Sequence, residues 1–217
     1  MVPPSWRAVP TRLRNSALGR WLSYDHSLVV FRRARSPYEQ IPAGNACVGR
    51  DDWSHLEGFE SSERWLTRAD FLRTCEQRLA AGEHVYTVAE DGRLLAYGWL
   101  VPRQERSWFP AVHQELSYPE RASVMYNAYT HPSARGRGFN TLLAAERIAD
   151  AFGPFAADAV YTAVNLGNEF AKRAKLAVGM EPWLELSCRI RLGRTQTSRR
   201  ALVDGGAVGA NPSAAPA

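Results

Sequence analysis

Apolar and polar positions along the chain change period several times, and each change marks an element. Ser27 to Arg33, with Val29, Val30 and Phe31 at its centre, has the β-branched and aromatic content of a strand. After Thr67, which stands where an N-cap belongs, Phe71, Leu72, Cys75 and Leu79 recur at helical spacing until Gly82 ends the run. Two strand-like runs, His84 to Glu90 and Arg93 to Val101, flank Asp91-Gly92, a pair that supplies the positive φ angles of a tight hairpin. Ala122 to Thr130 reads as a third strand of this central set. Leu142, Ala145, Ala149 and Phe152 then fall at helical intervals and predict a helix from Phe139 to Phe152. A strand at Val160 to Val164, a helix at Asn168 to Ala177 and a strand at Trp183 to Leu192 complete a mixed α+β order.

Two stretches interrupt the pattern. Arg35 to Glu60, rich in Pro, Gly, Asp and Ser, reads as irregular surface or short helical turns, and Pro102 to Arg121 reads as a connection. From about Thr195 the chain becomes Ala-, Gly-, Ser- and Pro-rich, with too little apolar surface to offset the entropy of ordering it. The expected organisation is an N-terminal extension over 1–26, one domain over 27–193 and a disordered tail over 194–217. A chain of 217 residues with 45% apolar residues can bury a full core in one such domain.

The charge adds a partner class. A net charge of +5, carried by arginines apart from Lys172 and Lys175, invites an anion: nucleic acid, a membrane surface or a phosphorylated cofactor. Cys47, Cys75 and Cys188 are odd in number and lack metal or redox spacing, which suits a reduced, cytoplasmic protein and gives no metal site. No run approaches the roughly 18 to 20 apolar residues of a membrane span, and no apolar run follows the N-terminal arginines as a secretory signal requires.

The stretch that carries chemistry runs from Thr130 through His131-Pro132-Ser133-Ala134-Arg135-Gly136-Arg137-Gly138 to Phe139-Asn140, between a predicted strand and a predicted helix. Pro132 ends the strand by withholding an N–H. Gly136 and Gly138 let the backbone bend and approach a ligand closely, and the helix start aims free N–H groups into the same space. Such a turn suits a pyrophosphate. A Walker-type loop would need Lys-Ser/Thr where Phe139-Asn140 stand, and the third glycine of a dinucleotide fingerprint is missing, so a nucleoside triphosphatase or dehydrogenase is disfavoured. The arginines are not interleaved with aromatics as on a nucleic-acid stacking platform.

This loop resembles the acyl-coenzyme A loop of the GNAT N-acetyltransferases, written Gln/Arg-x-x-Gly-x-Gly/Ala. Asn168-Glu169-Phe170-Ala171 through Gly179-Met180 is similar to that family's later Asn-x-x-Ala…Gly-Phe block. The resemblance covers roughly Ser27 to Leu192. It implies the GNAT fold, a mixed central β-sheet flanked by helices on both faces, and transfer of an acetyl group from acetyl-coenzyme A to an amine. It places the cofactor against Ala128, Tyr129, Thr130, Ser133, Ala134, Arg135, Gly136, Arg137, Gly138, Phe139, Asn140 and Asn168. Ser133 departs from the family's Gln/Arg, Asn140 from a small residue and Met180 from Phe. Lys175 falls where many members carry the tyrosine that protonates the departing thiolate. A lysine there is either a proton donor or a solvated or phosphate-pairing cation.

For the base that takes the amine proton, Glu115, Glu120, His113 and Tyr126 are available, as is a water chain. With Lys175 as acid, Tyr126 and Glu115 are the catalytic candidates. The acceptor groove implied by the fold lies between Asp51–Trp65 and Arg103–Arg121, where Trp53, His55, Trp65, Trp108, Phe109 and Tyr118 either wall a pocket or pack the core. The wording of Tyr126 to Gly138 resembles bacterial members linked to cell-surface polysaccharide synthesis, which implies an amino sugar as acceptor. Two rival readings stand beside this one: a non-catalytic acyl-coenzyme A-binding module, and an arginine-driven nucleic-acid binder. The expected partners are acetyl-coenzyme A and a small-molecule amine, without nucleic acid or membrane insertion. A homo-oligomer is compatible with all of this.

Overall fold

The computed structural model describes residues 23–36, 44–62 and 66–202. Along the chain these form β1 (Ser23–Ala34), β2 (Gly49–Arg50), α1 (Trp53–Glu57), α2 (Arg68–Ala80), β3 (His84–Glu90), β4 (Arg93–Val101), β5 (Arg106–Phe109), β6 (Gln114–Ser117), β7 (Ala122–Thr130), α3 (Phe139–Phe152), β8 (Ala159–Asn165), α4 (Glu169–Ala177), β9 (Glu181–Arg191) and β10 (Arg194–Ala201). The main sheet has the order β10-β9-β1-β8-β7-β4-β3-β2, with β5 and β6 pairing separately as a hairpin. Neighbours in the main sheet are antiparallel except β7 and β8, so the sheet is mixed as expected.

Local chemistry sets the helix ends. Thr67 caps α2 by accepting the Asp70 N–H at 3.1 Å, and Asn168 caps α4 by accepting the Ala171 N–H, also at 3.1 Å. Helix α3 starts from Gly138 in the left-handed region and buries Leu143, Ala144, Ile148, Ala151 and Phe152.

Alternation along β7 divides the core. Met125 points to one face of the sheet, where it joins Val29, Phe31, Tyr86, Val88 and Leu100 beneath α3. Val124 and Tyr126 point to the other. There Val124 joins the cluster under the β5–β6 hairpin, with Val112, Leu116 and Tyr161. Tyr126 packs against the cluster under α1 and α2, with Phe59, Phe71, Tyr97 and Trp99. The second face is therefore shared by two coverings that meet along β7.

At that seam the sheet opens. β7 and β8 pair only from Ala122↔Ala159 to Val124↔Tyr161, so the two parallel strands lose their ladder towards Thr130 and Asn165. The neighbouring β4–β7 ladder slips between Tyr97 and Trp99: Trp99 faces Tyr126 and Tyr97 faces Tyr129, leaving Asn127 and Ala128 opposite Gly98 alone. This is a bulge, with Asn127 at φ 48°.

Three expectations need correcting at their edges. β1 begins at Ser23, inside the expected extension, because Asp25 binds Arg189 at 3.2 Å and Arg191 at 2.5 Å across the ladder to β9. The expected tail contributes β10, which turns back from β9 through Leu192 and Gly193 at φ 49° and 76°. Every β10 side chain is exposed, so backbone pairing holds it, helped by Arg199 to Gln114 and Arg200 to Glu185. The expected connection over 102–121 contains the β5–β6 hairpin, which caps half of the second face. Residues 1–22 and 203–217 lie outside the described residues, as do the parts of the expected extension and tail that fall there.

Candidate active site

The loop after β7 has the geometry expected of it. The His131 N–H donates to the Leu95 carbonyl at 2.8 Å, and Pro132–Ala134 form a single 3-10 turn whose Ala134 is buried. The His131 ring holds Ser133 through its hydroxyl at 2.7 Å and its N–H at 3.3 Å. Gly136 and Gly138 then take φ 83° and 79°, which an L side chain strains to adopt, and a Cβ at either would meet nothing within 4 Å. Among the described residues no acceptor takes the backbone N–H groups of Gly136, Arg137, Gly138, Phe139 or Asn140. Five successive donors without a partner thus sit at the positive end of α3, with open space at both glycines, which is the chemistry of an anion cradle.

The arginines of this loop differ. Arg137 is committed to Glu90 by two bonds of 2.9 and 2.5 Å and lies 4.6 Å from the Phe139 ring. Arg135 is exposed and makes no ion pair among the described residues.

Beside the loop, the bulge takes Ala128 out of register with β4, while Tyr129 and Thr130 return to it opposite Tyr97 and Ala96. Tyr129 stacks on Tyr97 at 5.2 Å and bonds Ser62 through its hydroxyl at 2.8 Å. The Tyr126 hydroxyl donates to the Glu83 carboxylate, and Arg78 lies 5.0 Å over the Tyr126 ring and 5.1 Å over Trp99. Burial first, and the bond to Glu83 second, hold the Tyr126 phenol well above its ordinary range, so it keeps its proton.

On the α3 side of the sheet sit two buried cations. Lys175, only 3% exposed, reaches Asn140 in the first turn of α3 at 3.5 Å. This removes the solvated alternative and places the amine beside the loop. Desolvation, and then repulsion by Arg147, push its ammonium down to about 7. Arg147 is fully buried; it donates to the Leu143 carbonyl at 2.9 Å and to the Trp99 carbonyl at 3.2 Å, and its second terminal nitrogen has no partner. Burial pushes it down to about 10. A Cβ on Gly98 would strike this guanidinium at 2.6 Å, which is why β4 carries glycine opposite the bulge.

The structure thus gathers residues 126–140 and Lys175 around the strand gap and the loop. Asn168 is exposed and spends its side-chain oxygen on capping α4, so it does not share the burial of Lys175. Glu115 is not brought in. Gln114 and Leu116 of β6 point inward, so Glu115 points out, 3.8 Å from Arg106. The aromatics foreseen as groove walls are mostly spent elsewhere. His55 bonds Thr87 at 2.9 Å, Tyr118 packs on Tyr161 at 4.9 Å, Trp53 and Trp108 are exposed, and Trp65 lies outside the described residues. Phe59, Tyr97, Trp99, Tyr126 and Tyr129 line this face instead. Sequence reasoning missed Glu83 and Arg147. Glu83 follows a helix-ending glycine and looks like a turn residue, and Arg147 occupies a buried position of α3 where an apolar residue is expected.

A family model described as Acetyltransferase (GNAT) family matches residues 50–175, more than half of the chain. The chain belongs to the GNAT family. Several solved structures are similar to it at low identity. An acetyltransferase of the GNAT family from Colwellia psychrerythraea is 11% identical over 72% of this chain and 52% of that one, with a TM-score of 0.45. A tandem GNAT protein of the clavulanic acid biosynthesis pathway is 16% identical over 87% and 61%, with a TM-score of 0.48. An aminoglycoside 6'-N-acetyltransferase from Acinetobacter haemolyticus is 16% identical over 62% and 90%, with a TM-score of 0.45. This GNAT chain spans 62%, 52% and 61% of the first three structures it matches. No curated protein matches it.

Proposed function

We propose that this chain transfers an acetyl group from acetyl-coenzyme A to the primary amine of a small molecule, with an amino sugar as the first acceptor to try. The observation that carries this reading is the row of unused amides from Gly136 to Asn140, with open space at both glycines, in the loop that follows the strand gap. In this reading those amides and Arg135 hold the pyrophosphate, and the bulge turns the Ala128 region towards the thioester carbonyl. A donor aimed at the developing oxyanion contributes about 3 kcal/mol to lowering the barrier. Lys175, near Asn140 and able to change protonation near neutral pH, supplies the proton to the departing thiolate.

Free Cys47, Cys75 and Cys188 suit action in the cytoplasm. Among the described residues no helix is long and apolar enough to cross a membrane, and no group of three or more His, Cys, Asp or Glu side chains gathers as a metal site would require. Much of the arginine charge is neutralised, as in Arg93–Glu60, Arg121–Asp158 and Arg137–Glu90, which argues against a bare nucleic-acid-binding patch.

Calorimetric titration with coenzyme A and acetyl-coenzyme A tests the cradle, and release of free thiol with glucosamine and other amines tests transfer. Heat with transfer supports the reading; heat without transfer returns the non-catalytic module; no heat rejects both.

A further inference from the structure

Glu83 lies in the turn between α2 and β3, half-buried, on the face of the sheet that carries Tyr126. Of the carboxylates on and beside the helices covering that face, Glu60 pairs with Arg93 and Asp70 with Arg73. Glu83 makes no ion pair among the described residues and accepts instead from the Tyr126 hydroxyl. Tyr126 is the last residue of β7 in register with β4 before the bulge, so this carboxylate is coupled to the strand position next to the Ala128 region.

The groups packed around the phenol come from three elements. From α2, Arg78 lies over the ring and Cys75, its thiol pushed up to about 11 by burial, stays uncharged; Trp99 comes from β4 and Glu83 from the turn. Arg78 is spent on the faces of Tyr126 and Trp99, outside ion-pair distance of Glu83. A half-buried tyrosine whose phenol is backed by an unneutralised carboxylate can receive a hydrogen-bond-donating cation at its oxygen.

We infer that Tyr126 and Glu83 form the acceptor subsite, which binds a primary ammonium at the Tyr126 oxygen and relays one of its protons to Glu83. This rests on the transferase reading. As the ammonium gives a proton to Tyr126, Tyr126 passes its own to Glu83. The freed nitrogen lone pair forms the N–C bond at the thioester carbonyl as the C–S bond breaks. Of the three ammonium protons one stays in the amide, one leaves through Glu83 to solvent and one replaces the proton that Lys175 gives to the sulfur. The products are the acetamide, free thiol and one proton.

The test measures kcat/KM against pH for the full chain with glucosamine, tyramine and putrescine, beside Glu83→Gln and Tyr126→Phe, with acetyl-coenzyme A affinity measured calorimetrically for each. Both variants are expected to bind acetyl-coenzyme A as the parent does and to lose about 100-fold in kcat/KM at pH 7. Their rates should then climb with pH, as the amine's own ionisation replaces the relay, and approach the parent above pH 9. A loss constant across the pH range, or no loss in either variant, overturns the relay while leaving transfer intact. A parent that binds acetyl-coenzyme A and acetylates none of the three amines overturns the transferase reading and the relay with it.

Discussion

A lysine with its ammonium inside a protein is costly, and here a second cation raises the cost. Lys175 is pushed down to about 7 from an ordinary 10.5 by desolvation and by Arg147. Below about pH 7 it is protonated both folded and unfolded, so the full penalty weakens the fold. Between about 7 and 10.5 the unfolded chain binds more protons at this residue than the folded one, so its contribution to stability rises with pH. Lys175→Met is therefore expected to be more stable than the parent at pH 6.5 by roughly 3–5 kcal/mol, with the difference closing by pH 10. Urea unfolding at both pH values checks this, and a difference that does not shrink contradicts it. The sequence places Lys175 in a predicted helix, at the position where the resemblance expects a tyrosine, but does not show its depth. Depth depends on α4 packing against α3, and on an arginine at a position that helical periodicity assigns to the core.

Elements differ in how openly they are written. The β3–β4 hairpin was legible because Asp91 and Gly92 need the positive φ they take, 50° and 74°, and α3 because its apolar face and its glycine start agree. The β10 strand was not. Its run of Arg, Thr, Gln and Ser has no inward-facing set, and it pairs at the sheet edge through backbone bonds that any sequence can make. The bulge was also hidden, since Asn127 sits in an unbroken strand pattern and is distorted only because β4 offers one residue, Gly98, against two. In the loop the glycines act through their own conformation. Gly138→Val should force the start of α3 out of φ 79° and turn the row of amides away, lowering coenzyme A affinity by about 100-fold for a stability loss of about 1–3 kcal/mol. Calorimetry beside thermal melting separates the two effects, and unchanged affinity would contradict the cradle.

Across the whole molecule, β1, the first strand among the described residues, lies deep in the sheet. β1 is inserted between β8 and β9, with Val30 and Phe31 at 0% and 2% exposure and Leu28 and Val29 nearly as deep. Burying these four side chains contributes about 6–12 kcal/mol, which is comparable to the whole stability of an ordinary domain. Deleting residues 1–35 should leave an unfolded or aggregated chain even though the family match begins at residue 50. Adding a synthetic peptide of Ser23–Ala34 during refolding should restore β-sheet circular dichroism. A truncated chain that folds and melts cooperatively on its own would contradict this.

The same placement sets an order on biosynthesis. Leu28 leaves the ribosome long before Asn165 and Leu186, the residues that will flank it. At ordinary elongation speeds the wait is about 7 to 30 s. During that interval an oily segment has no native neighbours, and it must be shielded by chaperones or by the nascent chain's own collapse. Slower growth at low temperature and ample chaperone supply should therefore raise the soluble yield of this protein more than any change to its surface.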